Sequence, residues 1–387
     1  MKSLFGYGIT TKEMAKSGGW HIFDDKFKEI RFDKYGNKLL PSEMFEPKKS
    51  TLEVTSPGIP PSHPLIKKAK NLISELDYYY QNAPFQIWIT GTNGKTTTAQ
   101  MTHFLLENSQ IGGNIGIPLG KLDTKNPWVV EVSSFQLHYT KYAKPNIFAI
   151  LPIKEDHTSW HGSFEEYKKA KLSPLKRMTQ RDVVILPKEL DTPTKAYKIL
   201  YKNENDLIEK FSFSKEFEAP FLLDEAIAKT VYYILYLKLK SLKGFQIDPH
   251  KLEEIKDTKN RLWVNDSKAT NVDAAINALK RYKNRKIHLI IGGDNKGQDF
   301  GELFDLLKNL NVKLYIIGKN TSFFENFAEK YNIEHNVSNT IQKAVKEIDM
   351  VLKPQAVALL SPACASFDQF SGYRQRGEEF KKCIKSL

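Results

Sequence analysis

One stretch, IWITGTNGKTTTAQM at residues 87–101, limits what this chain can fold into more than any other. A short apolar run ends in glycines, a lysine and threonines, and a helical pattern follows. This is a strand, loop and helix unit built to hold a polyphosphate. Gly91 and Gly94 permit tight turns that aim backbone N–H groups at phosphate oxygens, with Thr92 and Asn93 between them. The helix that starts at Lys95 adds its positive N-terminal dipole. Lys95 is placed to reach terminal phosphates and Thr96 to ligate a divalent cation. The loop carries two residues between its first glycine and the Gly-Lys pair, where the usual phosphate loop carries four.

Strand and helix patterns alternate through the rest of the chain, which predicts an α/β protein of parallel sheets with helices on both faces. SLFGYG, GWHIFDDK and LEVTSPGIPPSHPL read as strands, the last breaking at Ser56-Pro57-Gly58 before a helix predicted over about 65–79. Pro84 precedes a second unit. Its expected parts are a strand to Thr90, a helix over about 95–108, strands WVVEV, IFAILP and DVVILP, and a helix around 164–172. A break at 244–249 opens a third unit with strands LWVND, KIHLIIGG, KLYIIG and QAVALLSPA and a helix over about 273–282. The expected architecture is three domains. They are a small Rossmann-like N-terminal domain (1–82), a central P-loop-type parallel-sheet ATPase domain (83–246) and a Rossmann-like C-terminal domain (247–387).

Composition narrows the function classes. With 387 residues, 41% of them hydrophobic, the chain can bury several cores. The excess of 58 Lys and Arg over 45 Asp and Glu gives +13, yet the basic residues are dispersed, so no nucleic-acid partner is expected. Cys364 and Cys383 show neither metal-knuckle nor disulfide spacing, and no signal-peptide core or run of eighteen apolar residues occurs. A soluble, cytoplasmic chain with no membrane partner is the expectation.

Further candidates lie at strand ends, where open α/β sheets bind ligands. Glu131, in the apolar strand WVVEV, is a buried charge that calls either for a bound cation or for a lysine partner. Asp156, His157 and His161 follow the strand IFAILP. Phe164, Tyr167, Lys171 and Leu175 share one helical face, so Lys171 points with the apolar residues while Lys168 and Lys169 face elsewhere. It either snorkels outward or serves a site. NDSKATN (265–271) is either a polar cradle or a helix cap, and IIGGDNKGQDF and LLSPACASFDQF supply two more polar strand-end loops.

Taken together, GTNGKTT, NDSKATN, GGDNK and SPACASFDQF resemble the Mur ligases of peptidoglycan synthesis, within the superfamily that includes folylpolyglutamate synthetases, and most closely the branch that adds D-glutamate. The resemblance runs from Gly6 to Phe380. It implies a monomeric ligase that uses ATP and two Mg²⁺ ions to join D-glutamate to UDP-N-acetylmuramoyl-L-alanine through an acyl phosphate. Lys95, Glu131, His157 and Lys171 would be catalytic; Thr96, Glu131, His157 and Lys171, the last as a carbamate, would organise the metal. Gly91 to Thr97, His250 and Asp266 would hold ATP. Ile9, Thr10, Asp24, Asp25, Ser56 and Gly58 would hold the uridine diphosphate, and Asn114 and Gln136 the muramoyl moiety. Lys268, Thr270, Lys296, Ser366, Phe367 and Tyr373 would hold D-glutamate. The chain departs from the family at FLLDEAIA, where Leu222 and Glu225 stand in place of two asparagines near the adenine, and at Lys251, where relatives carry arginine. Rival readings are another amino-acid ligase of the superfamily and a basic nucleic-acid ATPase.

Overall fold

The computed structural model describes residues 1–387, which divide into two compact units, Met1–Phe245 and Gln246–Leu387. The first unit carries two sheets. Strands β1 (Lys2–Phe5), β2 (Trp20–Phe23), β3 (Arg31–Phe32), β4 (Lys38–Leu40), β5 (Leu52–Thr55) and β6 (Leu72–Ile73) lie in the order β3-β4-β2-β1-β5-β6, with β3 alone antiparallel to its neighbour. The second sheet has β7 (Gln86–Thr90), β8 (Gln110–Gly113), β9 (Trp128–Glu131), β10 (Ile147–Ile150), β11 (Val183–Pro187) and β12 (Tyr197–Tyr201) in the order β12-β11-β10-β7-β9-β8. All its pairings are parallel. Parallel strands covered on both faces should read as continuous apolar runs. Ile87, Trp88 and Ile89 of β7 and all of β10 are accordingly buried.

The second unit holds β13 (Glu253–Lys256), β14 (Leu262–Asn265), β15 (Ile287–Gly292), β16 (Val312–Ile317), β17 (His335–Asn339) and β18 (Val357–Leu360), in the order β13-β14-β18-β15-β16-β17 with β13 antiparallel at one edge. Its strand ends converge: β14, β18 and β15 are neighbours, so the three polar loops that follow them lie side by side. The fold is thus α/β with three parallel-rich sheets, as the alternation of patterns predicts.

One predicted element is wrong. In place of a single helix over 65–79, the chain forms a short helix (Pro64–Lys68), the edge strand β6 and a second helix (Glu75–Tyr80). The backbone leaves the helix to pair with β5, where Asn71 N also donates to Glu53 Oε2 at 2.5 Å. Ser74 and Asp77 then cap the next helix reciprocally. The helix predicted over 95–108 ends three residues sooner, at Leu105.

That second short helix ties the two sheets of the first unit together. Asp77 accepts from the backbone N–H groups of Lys141, Tyr142 and Ala143 at 2.7–2.8 Å. Glu75, 2% exposed, accepts from Leu119 N at 2.9 Å. Burial pushes the Glu75 carboxyl up from 4.5 to about 7, against the pull of that N–H and of Gln136. The folded state therefore holds its proton more tightly than the unfolded chain does. Glu75 contributes its full stability below about pH 4.5 and loses it as pH rises towards 7, by a total of about 3 kcal/mol. Glu75→Gln removes this dependence, so urea denaturation should show the variant gaining on the natural protein as pH rises from 5 to 8. A stability difference that stays constant over that range would refute the assignment.

Candidate active site

The phosphate loop leaves β7, the central strand of its sheet, with β9 on one side and β10 on the other. This is a topological switch point, where loops diverge and leave a crevice. Two glycines are required there. Gly91 (φ 147°) would bring a Cβ within 2.5 Å of Leu151 Cβ, and Gly94 (φ 83°) one within 2.5 Å of Asp224 Oδ1. Thr92 fixes the loop to the segment after β10. Its N donates to Pro152 O (3.1 Å), and its hydroxyl meets Tyr167 Oη (2.9 Å) and the backbone of Lys154. Lys95 opens the following helix, and its Nζ lies over the loop, donating to Thr92 O (2.7 Å) and Gly91 O (3.1 Å).

Glu131 ends β9 and is 2% exposed. Uncharged side chains hold it: Thr96 Oγ1 donates to one oxygen and Asn114 Nδ2 to the other, both at 2.7 Å. The structure thus brings Thr96, Glu131 and Asn114 into one hydrogen-bonded chain beside the phosphate loop. A lysine is not what anchors this carboxylate.

Lys171 lies on the helix Phe164–Leu172, which starts and stops where the sequence predicts. It is 1% exposed, so it does not snorkel. Its Nζ donates to Gly91 O at 2.6 Å and stands 4.8 Å from the Tyr167 ring. Burial and the nearby charge of Lys95 hold its amine well below the usual lysine range, opposed by Asp156 and Glu131. Both influences favour the neutral, nucleophilic form of the amine.

His157 begins the helix Thr158–His161 in a left-handed conformation (φ 54°), with its N bonded to Asp156 Oδ1 at 2.8 Å. Its ring is half exposed beside Phe135 and Tyr167. His161 is buried and bonds Ser134 Oγ at 3.0 Å; burial pushes it down to about 4 and keeps it neutral. Gln136 sits in a helix cap, accepting from Ser133 N at 3.0 Å, and also reaches Glu75.

In the first sheet, β1 is central between β2 and β5, and the predicted uridine residues gather at the carboxyl ends of these three strands. Ile9 and Thr10 open the helix after β1. Asp24 accepts from Tyr7 N at 2.7 Å, Asp25 meets His63 at 3.0 Å, and Ser56 packs against Gly6 and Gly8, with Gly58 exposed two residues on.

In the second unit, Asp266 after β14 accepts from Ser361 Oγ, after β18, at 2.8 Å. Burial pushes its carboxyl up to about 7. Asp294, after β15, exchanges two backbone bonds of 3.0 Å with Ala365. Lys268 Nζ lies 4.3 Å from the Tyr373 ring. Lys296 and Phe367 are exposed at the rim, Thr270 is half-buried and Ser366 is buried. His250 is buried and committed within the unit, bonding Asn265 Nδ2 at 2.8 Å and approaching Glu378 at 3.3 Å.

Two features escape a reading of the sequence. Arg376, 1% exposed, joins the loops after β14 and β18 through Ser267 and the Cys364 carbonyl. Its position four residues before Phe380 and eight before Ile384, both buried, is the signal that could have found it. Glu225, at one of the missing asparagine positions, is an internal anchor: Lys229 Nζ donates to it at 2.8 Å and Phe217 N at 2.9 Å.

The phosphate loop at the switch point of a parallel sheet defines a nucleotide-binding α/β protein, and the chain belongs to the Mur ligase family. Residues 89–233 match the model of the Mur ligase middle domain, and residues 252–364 that of the Mur ligase glutamate ligase domain. It is 52% identical over 399 residues to the UDP-N-acetylmuramoylalanine--D-glutamate ligase of Campylobacter jejuni, spanning 100% of this chain and 99% of that one. With the same-named protein of Helicobacter pylori it shares 43% over 417 residues, 99% of each chain. Among solved structures, the MurF ligase from Thermotoga maritima in complex with ADP aligns with a TM-score of 0.59 at 14% identity, covering 87% of this chain and 89% of that one. UDP-N-acetylmuramate-alanine ligase MurC from the same organism aligns at 0.57 and 16% identity over 98% of each. At these identities the structures speak for the fold alone.

Proposed function

We propose that this chain joins D-glutamate to UDP-N-acetylmuramoyl-L-alanine with ATP as the energy source, in peptidoglycan synthesis. The observation that carries the reading is the full-length identity of 52% to a ligase of that name. The phosphate loop at the switch point of the second sheet supports it. In this reading the sheets belong to three domains, 1–82 for the uridine substrate, 83–246 for ATP and 247–387 for the amino acid, acting in the cytoplasm as a monomer.

The chemistry follows from the poor electrophilicity of a carboxylate. The terminal carboxylate of the L-alanine residue attacks the γ-phosphorus of ATP, giving an acyl phosphate and ADP. The amine of D-glutamate then adds to the acyl carbon, loses a proton, and inorganic phosphate departs as the amide forms. Lys95 and the loop N–H groups steady the charge on the moving phosphoryl group. Lys268 and Lys296 are assigned to the two carboxylates of D-glutamate.

Thr96 and Glu131 offer oxygen donors that suit Mg²⁺, and a buried carboxylate held by uncharged groups fits a cation beside it. His157 and a carbamate on Lys171 complete the proposed set. Bound there, Mg²⁺ would neutralise charge on phosphate oxygens.

Phosphate release from ATP in the presence of UDP-N-acetylmuramoyl-L-alanine should require D-glutamate. L-alanine, L-glutamate or meso-diaminopimelate supporting the rate equally well would overturn the reading, as would stimulation by DNA or RNA. Lys296→Ala should raise the KM for D-glutamate roughly tenfold to a hundredfold, the value of a charge-assisted bond of about 1.5–3 kcal/mol, with KM for the uridine substrate unchanged. Normal D-glutamate dependence in that variant would remove Lys296 from the site.

A further inference from the structure

We propose that the turn following the helix Leu222–Tyr236 is a docking patch for an anionic membrane surface. Tyr236, Leu237 and Leu239 are exposed hydrophobes within four residues of chain, 52%, 75% and 57% accessible. Scattered surface leucines need no explanation, but a contiguous group does. Leu237 is doubly unfavourable where it stands. It ends the helix in the left-handed conformation (φ 51°, ψ 33°), a position that ordinarily takes glycine, and it holds its side chain in water. Backbone and solvent both oppose leucine here, so something that covers the side chain must favour it.

The charges say what kind of surface. Lys238 lies between the two leucines and Lys243 follows, both exposed, and neither forms an ion pair. Lys240 instead folds back to Glu107 (2.7 Å) and Leu105 O (2.8 Å), fastening the segment to the end of the phosphate-loop helix. Leucines and a tyrosine flanked by free ammonium groups suit the boundary of a bilayer. The apolar groups enter between headgroups and the lysines meet lipid phosphates. The chain's net charge of +13 adds long-range attraction to an anionic leaflet.

The patch also stands clear of the chemistry. Asp224, near the start of its helix, contacts Thr98 at the beginning of the phosphate-loop helix, whereas Lys240 reaches Leu105 at that helix's end. The two helices run side by side in the same direction, so the patch lies about 20 Å along them from the phosphate loop. Docking would leave the nucleotide site open. No helix is long and apolar enough to cross a membrane, so the contact proposed is peripheral.

The test is co-sedimentation of the full chain with phosphatidylglycerol vesicles and with phosphatidylcholine vesicles, at low and high salt. The protein should pellet with the former, less so at high salt, and little with the latter. Leu237→Gly should weaken that partition roughly tenfold. It should leave D-glutamate-dependent phosphate release unchanged and the melting temperature equal or higher, because glycine relieves the backbone. Lys238→Glu should weaken partition as well. Failure of the natural protein to bind phosphatidylglycerol vesicles, or equal binding by the glycine variant, would overturn the proposal. So would sedimentation velocity showing a dimer that Leu237→Gly dissolves, since the patch would then be covered by a second copy.

Discussion

Lys171→Ala should reduce D-glutamate-dependent phosphate release about a hundredfold or more, the scale of losing one electrostatic stabiliser of a transition state. The native side chain is 1% exposed and its amine is held well below the usual lysine range. A neutral amine adds to carbon dioxide, releasing a proton and leaving a carbamate. The carbamate nitrogen keeps one hydrogen, so the 2.6 Å bond to Gly91 O survives the change. The new carboxylate-type oxygens would then join the donor set of Thr96 and Glu131. Acetate or formate should restore part of the alanine variant's rate by supplying like oxygens in the vacated space. In the natural protein, ¹³C-labelled carbon dioxide should give a carbamate NMR signal that Lys171→Ala abolishes. Near-normal turnover by the variant without added carboxylate, together with no such signal, would eliminate the modification.

How legible this site was in the sequence depended on periodicity. Tyr167 and Lys171 lie on one face of the helix and Leu175 in the turn just after it; all three are buried, while Lys169 on another face is exposed. An inward lysine could therefore be read before any coordinates, although its choice between solvent and site could not. The glycines of the phosphate loop were legible for a similar reason, since only glycine tolerates the approach of Leu151 and Asp224. In the second unit, three apolar strands ending in polar loops pointed to one ligand site, and sheet order places the three ends together.

Contacts between distant segments were not legible. The helix predicted over 65–79 broke because β5 offered Asn71 and Leu72 an edge to pair with, and no local pattern announces that. The two-residue strands β3 and β6 and the polar edge strand β13 are too short or too charged to show an alternation. Glu225 and Lys229 have the spacing of a surface ion pair on a helix, yet their side chains are 2% and 4% exposed and also hold Glu216, Phe217 and Ser214. Gln136 resembled a substrate ligand, and the structure has its side chain capping a helix and reaching Glu75.

Arg376 shows most clearly what such long-range contacts hold in place, and Arg376→Met should cost about 3–5 kcal/mol of stability. Its guanidinium donates through Nε to Ser267 Oγ (3.0 Å) and through Nη2 to Ser267 O (2.9 Å) and Cys364 O (3.0 Å). One side chain thus spans the loops after β14 and β18, the same loops that Asp266 and Ser361 join. Methionine matches its length but donates nothing, leaving two buried carbonyls without partners at about 1–3 kcal/mol each. Arg376→Lys should recover little, because a single ammonium cannot reproduce the planar fork. The loss extends to Asp266, one of the residues proposed to hold ATP. The positive charge of Arg376 draws the Asp266 carboxyl down against a burial that already lifts it to about 7, so the variant should leave that carboxyl protonated over more of the neutral range. Urea denaturation should therefore show the lost stability, and in folded protein the rate at pH 7 should fall further than the rate at pH 8.5, where Asp266 ionises again. A stability change under about 1 kcal/mol, or a rate loss equal at both pH values, would mean that the guanidinium neither ties the two loops together nor sets the charge of Asp266.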